Sequence, residues 1–424
     1  MKGFGLHVHP PTRTNAAIRR AATLSPLCRS SRGPIFATSL AAVIVPALSN
    51  TLRVNRPMPD STPASASASP RLGLVGAGGI GEVHADAARR AGWTLAAIVD
   101  SDRARADKLA ASQPGCRVAA DLESLLADRS LDAIAIATPN VTHRPIAEQA
   151  LAAGFHVLLE KPAGLNAKEC DALAAAERSS GRILQIGLVC RSTPVAHAVK
   201  SIVASGRLGT VYQARASLHR RRGIPGLGGW FTDRSKSGGG PLIDLGVHVI
   251  DLVLHVLGQP KATRASGATY AHFGRDIERY VHLEMWGGPP RAGGVFDVED
   301  QASAMIRFDG GMTFEVDVAW AANLPDGAVR DGIVLLGDRG GLFFEPLGRE
   351  VKIATEEDGH LVDVQPLLSP EDGGQAAWRR QYEAFAAAIR GEGPPAATVA
   401  ECRNTQAIID AIYRSSAEGR EVEV

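Results

Sequence analysis

Arg71-Leu-Gly-Leu-Val-Gly-Ala-Gly-Gly-Ile-Gly81 decides the fold of this 424-residue chain. A short apolar run reaches glycines at 76, 78 and 81, and an Ala-rich helical pattern follows. In a strand–turn–helix unit Gly76 permits the tight turn, and Gly78 and its neighbours Gly79 and Ile80 bring backbone close to a pyrophosphate. Gly81 then allows close helix–strand packing, while the helix N-terminus offers free amides to phosphate oxygens. A second apolar run, Thr94 to Asp100, ends in an acid 19 residues after Gly81. This matches the spacing of roughly 20 expected of a carboxylate that accepts the adenosine ribose hydroxyls. Such an acid repels a 2′-phosphate, so NAD is favoured over NADP, with Arg103 nearby as a partial offset. A cap for the helix beginning near 101 is the structural alternative for Asp100.

From that unit the pattern extends in both directions. Strand-like runs at 71–76, 94–100, 132–138, 155–159 and 183–187 alternate with helical segments at 80–91, 102–112, 142–153 and 167–180. This alternation predicts a doubly wound parallel sheet, an α/β Rossmann domain over 70–187. After 188 the pattern changes to a helix (194–205), a Gly-rich loop, a helix (241–257), many alternating strands over 262–365, and closing helices near 376–390 and 398–418. These predict a second, α+β domain over 188–424 with a large, mainly antiparallel sheet, its terminal helices packing back on the first domain. An antiparallel sheet covered by few helices leaves one face open, consistent with a homodimer or homotetramer.

Composition removes other classes. The net charge is only +1, which gives no reason to propose a nucleic-acid partner. A hydrophobic fraction of 45% supports substantial cores. Residues 1–69 form a distinct leader: residues 1–59 hold seven arginines, one lysine and no acid, which leaves 38 bases against 45 acids downstream. Its apolar stretch, Pro34 to Leu48, is too short and too interrupted by Pro46 for a membrane span. The leader reads as an early start codon ahead of Met58 in a cytoplasmic protein, an export signal over residues 1–49, or an organellar transit segment. The five scattered cysteines (28, 116, 170, 190 and 402) suggest neither a disulfide framework nor a metal site.

Three further stretches bear chemistry. Asp132 to His143 is a buried strand broken at Pro139, which puts Thr138, Pro139, Asn140 and His143 beside the cofactor at the carboxyl end of the sheet. His143 as a plain helix-start residue is the alternative. Phe155-His-Val-Leu-Leu-Glu160-Lys161-Pro162 ends a buried strand in two charges aimed at the same crevice. Burying them without purpose is costly, and Pro162 keeps Lys161 extended. A desolvated lysine is competent for acid–base work near neutrality, and a solvated salt bridge is the alternative. In Ser237 to Gly258 a nearly all-apolar helix carries polar residues at 244, 248, 251 and 255, a single face. Asp244 and His248, nearest its glycine-rich start, are placed to reach a ligand. A buried Asp–His pair is the structural alternative, and the lack of further ligands disfavours a metal.

These stretches together resemble the Gfo/Idh/MocA family of NAD(P)-dependent oxidoreductases, over about 70–424. Glu160-Lys161-Pro162 is similar to that family's active-site motif, and Asp244 and His248 to its downstream Asp-x-x-x-His pair. Gly187-Leu-Val-Cys-Arg191, Val298 to Ala302 and Ile412 to Gly419 add to the likeness. The resemblance implies reversible oxidation of a secondary alcohol on a sugar, cyclitol or related polyol, with Lys161 and His248 at the hydroxyl and Asp244 orienting or relaying. Of the two, His248 is the first choice of base, its unperturbed pKa being nearest neutrality, with Lys161 polarising the oxygen, and the two roles are exchangeable. Arg191 and Trp230 join Lys161, Asp244 and His248 as substrate contacts. The basic loop His219 to Arg222 borders the substrate or is plain surface, and suits a polyhydroxylated or an acidic molecule. Alternatives on the same fold are a non-catalytic dinucleotide sensor and a redox-assisted lyase or glycosidase with tightly held NAD.

Overall fold

The computed structural model describes residues 69–282, 287–325, 327–368 and 373–424. The expectations for residues 1–68 of the leader lie outside them.

The first sheet is built from β1 (Arg71–Val75), β2 (Thr94–Val99), β3 (Arg117–Val118), β4 (Ala133–Ile136), β5 (His156–Glu160) and β6 (Leu184–Gly187). All pairings are parallel, and the strand order is β3-β2-β1-β4-β5-β6. The interleaved helices are α1 (Gly79–Arg90), α2 (Arg103–Ala111), α3 (Leu122–Leu126), α4 (His143–Ala152) and α5 (Ala167–Ser180). Central strands covered by helices on both faces need apolar side chains on both faces. Ala133, Ile134, Ala135 and Ile136 of β4 are accordingly all fully buried. The chain order reverses between β1 and β4, so the crevice at their carboxyl ends is where a ligand is expected.

Beyond β6 come α6 (Pro194–Ala204), β7 (Val211–His219), a one-turn α7 (Arg234–Ser237), a π-helical turn (Leu242–Gly246) and α8 (Val247–Val256). Then follow β8 (Ala262–Tyr270), β9 (Gln301–Phe308), β10 (Thr313–Ala319), β11 (Gly332–Gly337), β12 (Gly340–Phe344), β13 (Val351–Glu357) and β14 (His360–Val364). Helices α9 (Gly373–Ile389) and α10 (Val399–Glu418) and a short β15 (Val422–Glu423) close the chain. The nine-stranded sheet has the order β14-β13-β12-β11-β7-β10-β9-β8-β15, antiparallel throughout except for the parallel pair β7–β10. Period-two alternation gives it one buried face (Ala214, Ala216, Phe314, Val316, Ile333, Leu335), while Arg215 and Glu315 point to the exposed side.

The expected alternation of strand and helix is present, with β3, α3 and β15 added. Each spans five residues or fewer, too short for periodicity to reveal. The run Arg234–Val256 is long and apolar enough by length and composition to cross a membrane, but 83% of its apolar window is buried inside the fold. Closing helix α9 packs on α1 and α10 on α5, so the chain's end returns to the first sheet.

Candidate active site

The carboxyl ends of the parallel strands open into a cleft of about 1870 Å³. At its floor β1 turns at Gly76, whose φ of +100° suits only glycine, and whose added Cβ would lie 2.4 Å from the Ala137 carbonyl oxygen. A Cβ at Gly81 would meet the Gly76 carbonyl oxygen at 2.2 Å, so α1 rests directly on the turn. Gly78 and Gly79 have open space where a Cβ would be, and no side chain caps α1. The first-turn amides therefore face the cleft, a cradle that fits a pyrophosphate. Asp100 lines the same cleft, accepting from the Ala77 amide (2.6 Å) and the Asp102 amide (2.7 Å). It is Asp102 that caps α2, through the Ala104 and Arg105 amides, which leaves Asp100 to a ligand.

Ile80, Thr138, Pro139, Asn140, Glu160, Lys161, Trp230, Asp244 and His248 also line the cleft. Two expected contacts do not. His143 is 1% exposed, with Nδ1 2.7 Å from the Pro162 carbonyl oxygen and Nε2 2.9 Å from that of Thr138. As the first residue of α4 its ring turns inward between two strand ends, where it ties the loops of Thr138 and Pro162 together away from the cleft wall. Arg191, 2% exposed, is likewise corrected. Its turn after β6 directs the guanidinium into the interior, where it donates to Asp251 (2.6 and 2.7 Å) and Glu401 (2.8 Å). A buried cation requires such partners.

The reactive wall is made by β5 and the π turn. Glu160 ends β5 and accepts from the Lys161 amide (3.1 Å), and its other oxygen meets His84 Nε2 at 3.0 Å. His84 Nδ1 in turn meets the Tyr382 hydroxyl of α9 at 2.8 Å. Burial works to raise the Glu160 pKa, but the His84 hydrogen bond and the His84 and Lys161 charges outweigh it and hold the carboxyl below its usual range. Lys161 donates through Nζ to Asp244 Oδ1 (2.8 Å), and Trp320 Nε1 donates to Asp244 Oδ2 (2.9 Å). Against burial, the charges of Lys161 and Arg220 and these hydrogen bonds hold Asp244 down at about 2. The widened π turn carries Asp244, and its start is pinned by buried Glu299, which accepts from the Gly240 and Leu242 amides and the Tyr413 hydroxyl.

His248 follows in the first turn of α8, with Nδ1 3.8 Å from Cys190 Sγ. Burial, reinforced by the Lys161 charge, pushes its pKa down to about 3. That removes the reason for choosing it as base on a near-neutral pKa: the ring is neutral at any working pH. Asp244 gives its two oxygens to Lys161 and Trp320, so it orients the lysine. Asp251, on the same helix face, belongs to Arg191, and His255 lies 3.4 Å from Lys200. Trp230 stacks on Phe231 with ring centres 3.8 Å apart, and Phe231 meets Trp320 edge-on. Sequence reasoning missed Trp320, Cys190, His84 and Tyr382, whose partners lie 58 to 298 residues away.

Comparison with known proteins bears on this cleft. The model of an oxidoreductase family with an NAD-binding Rossmann fold (GFO/IDH/MocA) matches residues 70–188, and that family's C-terminal domain matches residues 196–343. The chain is 28% identical over 356 residues to D-glucoside 3-dehydrogenase of Escherichia coli K12, covering 84% of this chain and 97% of the relative. It is 27% identical over 330 residues to inositol 2-dehydrogenase 2 of Saccharopolyspora erythraea, covering 76% and 91%. The crystal structure of GenD2 from gentamicin A biosynthesis, in complex with NAD, is 28% identical with a TM-score of 0.69, covering 85% of this chain and 98% of that one.

Proposed function

This chain belongs to the GFO/IDH/MocA family of NAD-binding oxidoreductases, and from that premise we propose that it reversibly oxidises a secondary alcohol of a sugar, cyclitol or related polyol. Residues 70–187 hold the dinucleotide and residues 188–424 supply most of the substrate's surroundings. The turn from Gly76 to Gly81 takes the pyrophosphate, Asp100 the ribose hydroxyls, and Thr138, Pro139, Asn140 and Glu160 border the nicotinamide half. NAD, when bound, supplies the hydride acceptor.

The chain's own residues do the rest. Lys161, anchored by Asp244, which is itself held by Trp320, turns a remaining N–H towards the substrate hydroxyl oxygen. Its ammonium stabilises negative charge as that oxygen loses its proton. His248, neutral and facing the same cleft, takes the proton on a ring nitrogen. Burial makes the imidazolium unfavourable, so proton loss keeps step with hydride departure instead of preceding it. The stacked Trp230 and Phe231 offer an apolar wall to the sugar's C–H face and help exclude water.

One observation carries this reading: a lysine fixed at 2.8 Å by a carboxylate and a neutral, half-buried histidine line the same cleft as an open glycine turn. Lys161→Ala and His248→Ala test it. Both variants are expected to bind NAD normally while turnover of a polyol falls on the order of 10²–10⁴-fold. Normal turnover in both overturns the assignment. Two extensions belong to the same proposal. Self-association as a dimer or tetramer is supported by the open face of the nine-stranded sheet, where Arg215 and Glu315 are exposed. A cytoplasmic setting is supported by the free thiols of Cys116, Cys170, Cys190 and Cys402.

A further inference from the structure

Most of the buried or half-buried cations around the cleft are matched to a carboxylate. Lys161 has Asp244, and Arg191, behind the wall, has Asp251 and Glu401. Arg220 is the exception. It follows β7, lines the cleft, and is only partly exposed. Its one side-chain hydrogen bond is a long one, Nη1 to the Gly223 carbonyl oxygen at 3.3 Å, and among the described residues no carboxylate lies within ion-pair distance of it. It is nevertheless close enough for its field to act on both Asp244 and His248.

The surrounding charges do not cancel it. Asp244 already binds Lys161, His248 is uncharged, and Glu160 in the same wall is engaged by His84 Nε2 at 3.0 Å and by the Lys161 amide, so none of them meets the Arg220 guanidinium. Asp331, further along the cleft, is engaged by His219 at 3.0 Å. Glu345 lines the cleft but is solvent-exposed, where its charge is screened. A guanidinium has five N–H donors in a planar fork that matches an oxyanion. The donors of that fork not bonded to Gly223 are accessible to a molecule entering the cleft.

We propose that the substrate is a sugar derivative bearing an oxyanion, a carboxylate or a phosphate, which Arg220 receives on the fork while Lys161 and His248 address the hydroxyl. The anion lies on the same molecule, within reach of the oxidised carbon. The inference rests on the polyol-oxidation reading and narrows it. It makes Arg220 a residue that selects substrates, distinct from the groups that handle the proton.

The test compares wild type with Arg220→Gln and Arg220→Lys on an uncharged methyl hexoside, its hexuronate counterpart and a hexose 6-phosphate, read as NADH formation. Wild type should prefer one anionic class over the uncharged sugar by tenfold or more in kcat/KM, and the two arms identify which anion. Arg220→Gln should lose about 100-fold on that anion, the loss expected for a charged bidentate contact, and at least about tenfold less than that on the uncharged sugar, where only its field on Asp244 and His248 is removed. Arg220→Lys, which keeps the charge without the fork, should fall between them, mainly through KM. The inference is overturned if the uncharged sugar is used as well as both anions, or if Arg220→Gln keeps the preference. If nothing turns over, the polyol reading fails, and calorimetry on the NADH-loaded protein still decides this one. An anion that binds no tighter than the uncharged sugar, or equally to Arg220→Gln, refutes it; tighter binding lost in Arg220→Gln supports it.

Discussion

Replacing Arg191 by methionine separates a structural cation from a substrate-binding one. The guanidinium donates twice to Asp251, at 2.6 and 2.7 Å, and once to Glu401, at 2.8 Å, with the Arg191 and Asp251 side chains each 1% exposed. Methionine fills much of the volume but strands the Asp251 carboxylate without a counter-charge. Removing one partner of a buried pair costs about 3–5 kcal/mol. For a chain of this size roughly 1–2 °C of Tm accompanies each kcal/mol, so calorimetric unfolding should shift down by about 5 °C. Because Arg191 lies outside the cleft, the KM for a polyol should change less than about twofold at a temperature where both proteins are folded. Adding Asp251→Leu to Arg191→Met should recover most of the loss, since the stranded charge is then gone. An unchanged Tm together with a strongly raised KM refutes this reasoning and returns Arg191 to the substrate.

Three other outcomes follow from the same geometry. Because the His248 pKa lies at about 3, its protonation should cause no loss of kcat/KM for oxidation between about pH 8 and 5; a limb near pH 6.5, present in wild type and absent in His248→Gln, contradicts this. Asp244, held at about 2 against an ordinary 3.8, contributes stability that is fully present above about pH 4 and lost as pH falls through 2. Asp244→Asn should therefore cost about 2 kcal/mol at neutral pH and progressively less in acid, as read by urea unfolding at a series of pH values. A cost that does not shrink towards pH 2 rules this out. Gly78→Val should unfold like wild type, since nothing lies within 4 Å of the added Cβ, yet bind NAD at least tenfold more weakly by fluorescence titration; an unchanged Kd means the pyrophosphate lies elsewhere.

Much of the dinucleotide half is legible in the chain because its signals are local. Gly76 is marked by the positive φ of its own turn and Gly81 by a backbone contact five residues away, and Asp100 ends a run whose spacing from them is fixed by one helix. The polar stripe 244, 248, 251 and 255 is legible as one helix face, but not how that face is shared. Its first half goes to Lys161 and the cleft, and Asp251 goes to Arg191, a division made by packing against the turn after β6 and against α10. Arg191 misleads because the likeness of Gly187 to Arg191 to the family carries it to the substrate, whereas its partners lie 60 and 210 residues away. Trp320, which anchors Asp244, sits 76 residues from it on the loop after β10. The basicity of His248 is illegible for a different reason: a pKa depends on burial and on neighbouring charge, and neither has a sequence signature.

The most direct test of the central claim is a crystal structure with NADH and a bound polyol. One substrate hydroxyl oxygen should lie within about 3 Å of both Lys161 Nζ and a ring nitrogen of His248, with its carbon facing the nicotinamide. A sugar whose hydroxyl beside the nicotinamide contacts neither side chain contradicts the account.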